Sequence, residues 1–184
     1  MVLPIYVYGS GVLRQKAEPV QEGHEGLAEL VQNMFDTMQG AEGVGLAAPQ
    51  IGLSLQLFVV DATPFAEEDP SLADFRRVFI NSEITPLERK ESSYEEGCLS
   101  LTGINEKVVR PEGILIRYLD ERFEEHTQEF HGIVARIVQH EYDHTQGLVF
   151  TDRTSGLRKQ MLQSRLKGMA QGKVKAKYPI KIRN

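Results

Sequence analysis

The sequence of 184 residues has a single cysteine, Cys98. One cysteine cannot close an internal disulfide, so a secreted scaffold built on disulfides is excluded. Nowhere do 18 apolar residues follow one another, and no membrane-spanning helix is expected. The first seven residues carry neither a basic flank nor a long apolar run and do not read as a secretory signal. These absences predict a cytoplasmic protein. Acids are also missing from one end: none follows Asp152, whereas ten Lys or Arg fall between residues 153 and 183. The formal net charge of −5 therefore divides into −15 for residues 1–152 and +10 for the rest. An acidic body with a basic end points to an anionic partner, usually nucleic acid; the plainer alternative is a solvated helix face.

A hydrophobic content of 41% is enough for a sizeable core, and the length fits one domain over residues 1–184 with a basic C-terminal helix and tail from about residue 153. Leu27, Leu30, Val31, Met34, Phe35 and Met38 recur at helical spacing, and Gly40 and Gly43 end that run. Residues 55–60 read as a buried strand, and residues 61–74, with Pro64 and Pro70, as an exposed loop. From residue 77 to 130 the texture is β, with a hairpin expected between the run at 114–118 and the polar stretch at 123–130. Ile133, Ile137, His140 and His144 share one face of a second helix, with Gly147 suited to follow it. Thr154 or Ser155 can cap a third helix whose inner side would be Leu157, Met161, Leu162, Leu166 and Met169. The chain is thus expected to be α+β.

His140-Glu141-Tyr142-Asp143-His144 is an HExxH motif. Residues four apart on a helix stack one above the other, so both imidazoles can reach one ion, and Glu141 can touch water beside it. The bland reading is two polar residues on an amphipathic helix. It is weakened because they continue the apolar stripe of Ile133 and Ile137, where buried histidines need partners. A catalytic site needs a third ligand and an open position. Downstream donation is poor: a His ten residues after the first would fall on Phe150, and no Glu follows Glu141. Upstream stand His24, His126, His131 and Cys98. A thiolate is a strong ligand for a borderline ion, which selects Cys98, in Glu96-Gly97-Cys98-Leu99-Ser100.

A third segment, Gly43-Val44-Gly45-Leu46-Ala47-Ala48-Pro49-Gln50, runs from helix to strand and lacks the Lys-Ser/Thr pair, so it is not a phosphate loop. It offers open backbone for an extended ligand and one side-chain amide, Gln50. The plainer alternative is a tight turn.

Together these segments resemble the peptide deformylase family, whose signatures have the forms GxGxAAxQ, EGCLS and HExxH in this order. The resemblance covers most of the chain. It implies mixed and antiparallel β-sheets packed around a central helix carrying HExxH, plus a C-terminal helix of the bacterial subtype. It implies Cys98, His140 and His144 as metal ligands, Glu141 as the acid/base, and Gln50 with the Leu99 backbone N–H as donors to a formyl oxygen. Val44, Gly45, Glu96, Gly97, Ile133 and Ile137 are expected to bind substrate. The implied reaction is hydrolysis of the formyl group of N-formylmethionyl nascent peptides, with formate released. Ferrous iron is the implied metal, with zinc, nickel or cobalt able to occupy the site. The ribosome is an implied partner through the basic C-terminal region; neither a membrane nor specific DNA is expected. Two positions depart from common family usage: Thr102 stands where Pro is frequent, and Asn105 where some members carry a base. The competing readings are an HExxH peptidase and a non-catalytic protein with a structural metal.

Overall fold

A computed structural model describes residues 1–87 and 90–182. Its elements are β1 (Ile5–Tyr6), α1 (Leu27–Gly40), β2 (Gly45–Ala47), β3 (Leu57–Asp61), β4 (Arg76–Pro86), β5 (Glu91–Glu96), β6 (Glu106–Pro111), β7 (Gly113–Leu119), β8 (Glu125–His131), α2 (Gly132–Thr145), α3 (Gly156–Ala170) and β9 (Ile180–Lys181). Five strands form one sheet in the order β2-β3-β4-β7-β8, all antiparallel neighbours. β5 and β6 form a separate hairpin, and β1 pairs in parallel with β9.

The apolar run of β3 is buried on both faces because two helices cover the large sheet. Leu57, Val59, Val78 and Ile80 pack with the α1 stripe of Leu27, Val31, Met34, Phe35 and Met38. The alternate residues Phe58, Val60 and Phe79 pack with Val134, Ala135, Ile137 and Val138 of α2. The HExxH helix is thereby a central element, as expected. Gly147 ends it at φ 74°, a left-handed conformation that glycine adopts without a Cβ penalty. The β7–β8 hairpin also agrees with the reading of residues 114–130.

One expectation needs correction. Ser155 caps α3, its side chain accepting from the Arg158 N–H, but only Leu162, Leu166 and Met169 of the anticipated inner face are buried. Leu157 is 70% exposed and Met161 64%. They sit roughly 100–140° around the helix from that stripe. Arg158 bonds Glu106 and Lys159 bonds Asp152, which fixes the first turns against the body on the other side.

The basic end continues beyond α3. After α3 the chain turns back as an extended segment in which Lys173, Lys175 and Lys177 face outward, while Val174, Tyr178 and Ile180 pack on the core. β9 then locks to β1, with Ile5 N–H donating to Pro179 O at 2.9 Å and Val7 N–H to Lys181 O at 3.1 Å. Arg183, counted in the basic end, lies outside the described residues.

Candidate metal centre

Helical spacing on α2 brings the His140 and His144 rings to 5.2 Å between centroids. Cys98 follows β5 in a turn and reaches the same point, its Sγ 3.3 Å from His144 Nε2. The ligand atoms of the three side chains lie within 4.8 Å of one another. The other upstream candidates are elsewhere: His24 precedes α1, and His126 and His131 lie on β8. Asp120, Glu124 and His126 also meet that spacing, at a turn where Asp120 already takes His126 at 2.8 Å. Phe150, at the place where a downstream histidine would fall, stacks on His140 at 5.9 Å instead.

Behind these side chains lies a buried network. His140 Nδ1 donates to Glu96 Oε2 at 2.9 Å, which leaves Nε2 for an ion. Glu96 also accepts from Arg110 Nε at 2.7 Å and Arg136 Nη1 at 2.8 Å. Arg110, 1% exposed, continues to Asp143 at 2.7 Å, and Asp143 takes Arg153 at 2.5 and 2.6 Å. Burial works against the Glu96 charge, yet the bonds to His140 and Arg110 hold its carboxyl well below the usual range. Burial likewise opposes charge on His140, but its bonds to Cys98 and Glu96 outweigh that and raise its pKa well above the ordinary value. His144 goes the other way: burial first, then the charges of His140, Arg110 and Arg14, keep it neutral.

Glu141 is buried, and burial pushes its pKa up to about 7 against the pull of His140 and Arg110. Among the described residues its Oε2 has no hydrogen-bond partner, and neither has His144 Nδ1. Gly45 makes this placement feasible, because a Cβ there would collide with Glu141 Oε1. Gly43 does the same for Leu99, whose Cδ1 would be 2.8 Å from an added Cβ. The two glycines thus make room for site residues as well as for any ligand. Gln50 Oε1 accepts from Ala47 N–H at 2.8 Å, which turns Nε2 toward Ser100 Oγ at 3.2 Å and Cys98 Sγ at 3.6 Å.

A cavity of ≈ 870 Å³ opens onto these groups, and Val44, Gly45, Gly97, Leu99, Ile133 and Ile137 line it. Glu96 also borders it, with both its oxygens bonded to the arginines and His140. Thr102 Oγ1 donates to Lys175 O at 3.1 Å, and Asn105 Oδ1 packs against Gly97, within 2.7 Å of where a Cβ would stand.

The donor set fits a divalent cation. One cysteine sulfur and two imidazoles at this spacing suit such an ion, and Glu141, which lines the same cavity, has a buried carboxylate oxygen without a partner among the described residues. The family profile described as polypeptide deformylase matches residues 2–160. The chain belongs to the peptide deformylase family. Among its relatives is the peptide deformylase of Salinibacter ruber, 48% identical over 98% of this chain and 94% of that one. That of Christiangramia forsetii is 42% identical over 100% and 97%. The crystal structure of the peptide deformylase from Thermus thermophilus is similar at a TM-score of 0.81 and 40% identity, covering 93% of this chain and 97% of that one. Deformylases are metal-dependent hydrolases that remove the N-formyl group from nascent peptides, and this chain is such an enzyme.

Sequence reasoning missed the supporting charges of this deformylase site. Arg110 was legible in part: Glu106, Val108 and Arg110 alternate inward along β6, a period-two pattern that puts an arginine in the core. No sequence signal placed Tyr178 near Leu99, 79 residues away.

Proposed function

We propose that Cys98, His140 and His144 hold one divalent ion, and that Glu141 moves the proton in hydrolysis of N-formylmethionyl peptides. The observation that carries this reading is that three ligand atoms converge in a cavity also lined by Glu141, whose buried Oε2 has no partner among the described residues. When bound, the ion supplies positive charge and a water of lowered pKa. A carboxyl with a pKa near neutrality can take a proton from water and return it to the departing amine. The Leu99 N–H and Gln50 Nε2 face the formyl oxygen as it gains charge; one such donor contributes roughly 3–4 kcal/mol in comparable sites. Val44, Ile133 and Ile137 form the apolar slot for the methionine side chain, with Gly45 and Gly97 at its border. Selection there is worth about 1–3 kcal/mol per methylene.

Ferrous iron is the metal we assign, on the family resemblance, with zinc, nickel or cobalt able to take its place. Formylated nascent chains are met in the cytoplasm, beside the ribosome. The outward basic residues of α3 and the following segment, Lys167 and Lys173 among them, supply a surface for ribosomal RNA. The supporting observation is that the segment's lysines make no ion pairs among the described residues.

The deciding experiment follows formate release from a formyl-methionyl peptide beside cleavage of the unformylated peptide. Glu141→Ala keeps its metal and loses about 10²–10⁴-fold in turnover. Retained activity removes Glu141 from its role. Anaerobic reconstitution with iron and with zinc identifies the working metal by turnover. Salt-sensitive co-sedimentation with ribosomes, weakened by Lys167→Glu, tests the partner.

A further inference from the structure

The turn that carries Cys98 has its backbone pinned at three successive carbonyls. Cys98 O accepts from Leu101 N–H at 3.0 Å and Ser100 O accepts from Tyr8 N–H at 2.8 Å. Between them, Leu99 O accepts from the Tyr178 hydroxyl at 2.7 Å. Leu99 is thus gripped by a side chain, and that side chain belongs to the extended segment that returns after α3. The segment itself is anchored on both sides of Tyr178. Lys175 O takes Thr102 Oγ1, and Pro179 O takes Ile5 N–H. Tyr178 and Leu99 both pack on the α1 core, and both line the cavity.

Peptide planarity gives this bond a consequence. The N–H of Leu99 shares a plane with the carbonyl of Cys98; the carbonyl of Leu99 lies in the next plane. The two planes pivot only at the Leu99 Cα, through φ and ψ. Leu101 holds the first plane and Tyr178 the second, so neither can swing without breaking a bond. The Leu99 side chain closes the third direction, seated against Gly43. Preorganised donors are effective because they need not reorient as charge develops.

We propose that Tyr178 is a positioning residue of the reaction: its hydroxyl, bonded to Leu99 O, fixes the direction of the Leu99 N–H toward the substrate oxygen. This rests on the proposed role of that N–H. The returning C-terminal segment thereby carries one positioning residue, Tyr178, whose loss lowers turnover even of small peptides.

The test is steady-state formate release by the full-length, metal-loaded enzyme. Tyr178→Phe retains the ring and loses only the hydroxyl. We expect kcat to fall about 5–10-fold, the worth of one ordinary hydrogen bond, with KM within about twofold and metal content unchanged. Ile180→Ala loosens the same segment without touching the hydroxyl, and should lower the thermal midpoint while leaving kcat in place. An unchanged kcat in Tyr178→Phe overturns the proposal, and so does an equal loss of kcat in Ile180→Ala, which would mean general loosening. A backbone ester at Leu99 (the α-hydroxy acid in place of leucine) separates the two layers of the argument. If the ester is disabled while Tyr178→Phe is normal, the N–H role stands and the positioning role fails. If the ester is fully active, the N–H role itself fails.

Discussion

Glu96 and His140 are bonded at 2.9 Å through Oε2 and Nδ1, and the same carboxylate lies against two buried arginines. Glu96, two residues before Cys98, therefore sets the tautomer and ring orientation of His140, 44 positions later. Partners of this kind commonly change metal affinity 10–100-fold. Glu96→Gln keeps the volume but removes the charge, so it should release metal about 10–100-fold more readily in a chelator competition. Unchanged affinity would mean that the carboxylate serves only the arginines.

Gly45 borders Glu141 so closely that a methyl group must displace the carboxylate. Gly45→Ala should lower formate release at least about 10²-fold, the usual contribution of a general base, with the metal retained. Metal analysis beside kinetics distinguishes this from collapse of the site. Normal turnover would show that Glu141 can work from a shifted position.

Asp152 bonds Arg14, the Val149 N–H and Lys159. Burial opposes its charge, but these partners prevail and its pKa is lowered. A lowered folded-state pKa contributes stability that is present above the unfolded value and lost as pH falls through the folded one. The urea midpoint of the parent protein should thus exceed that of Asp152→Asn near neutrality, and the gap should close below about pH 4. A gap that persists in acid would point to packing, with charge irrelevant.

The corrected faces of α3 make unequal substitutions predictable. Leu157→Gln or Met161→Gln should change unfolding free energy by no more than about 0.5 kcal/mol, because both side chains already face solvent. Leu166→Ala empties a buried position and should cost about 2–5 kcal/mol. Chemical denaturation of the three variants decides; equal losses would return Leu157 and Met161 to the core.

What the sequence determined by itself was whatever local periodicity or a fixed spacing encodes. The α1 stripe, the doubly buried run of β3 and the i, i+4 pair His140 and His144 are such features, since each follows from the geometry of one element. Cys98 was reachable by elimination, as the one soft ligand in a chain that lacks a downstream donor. Tertiary structure alone decided which charges meet behind the ligands. The chain Glu96–Arg110–Asp143–Arg153 joins two strands, a helix and the turn after it, and no spacing along the sequence measures distance across a core. It also decided that Leu157 and Met161 stay in water and that Tyr178 returns to Leu99. Helical pattern names an apolar residue, but whether it is covered depends on where a neighbouring element ends; and an alternating Lys-Val-Lys-Ala-Lys-Tyr run becomes a strap only because β1 leaves an edge for β9 to pair with.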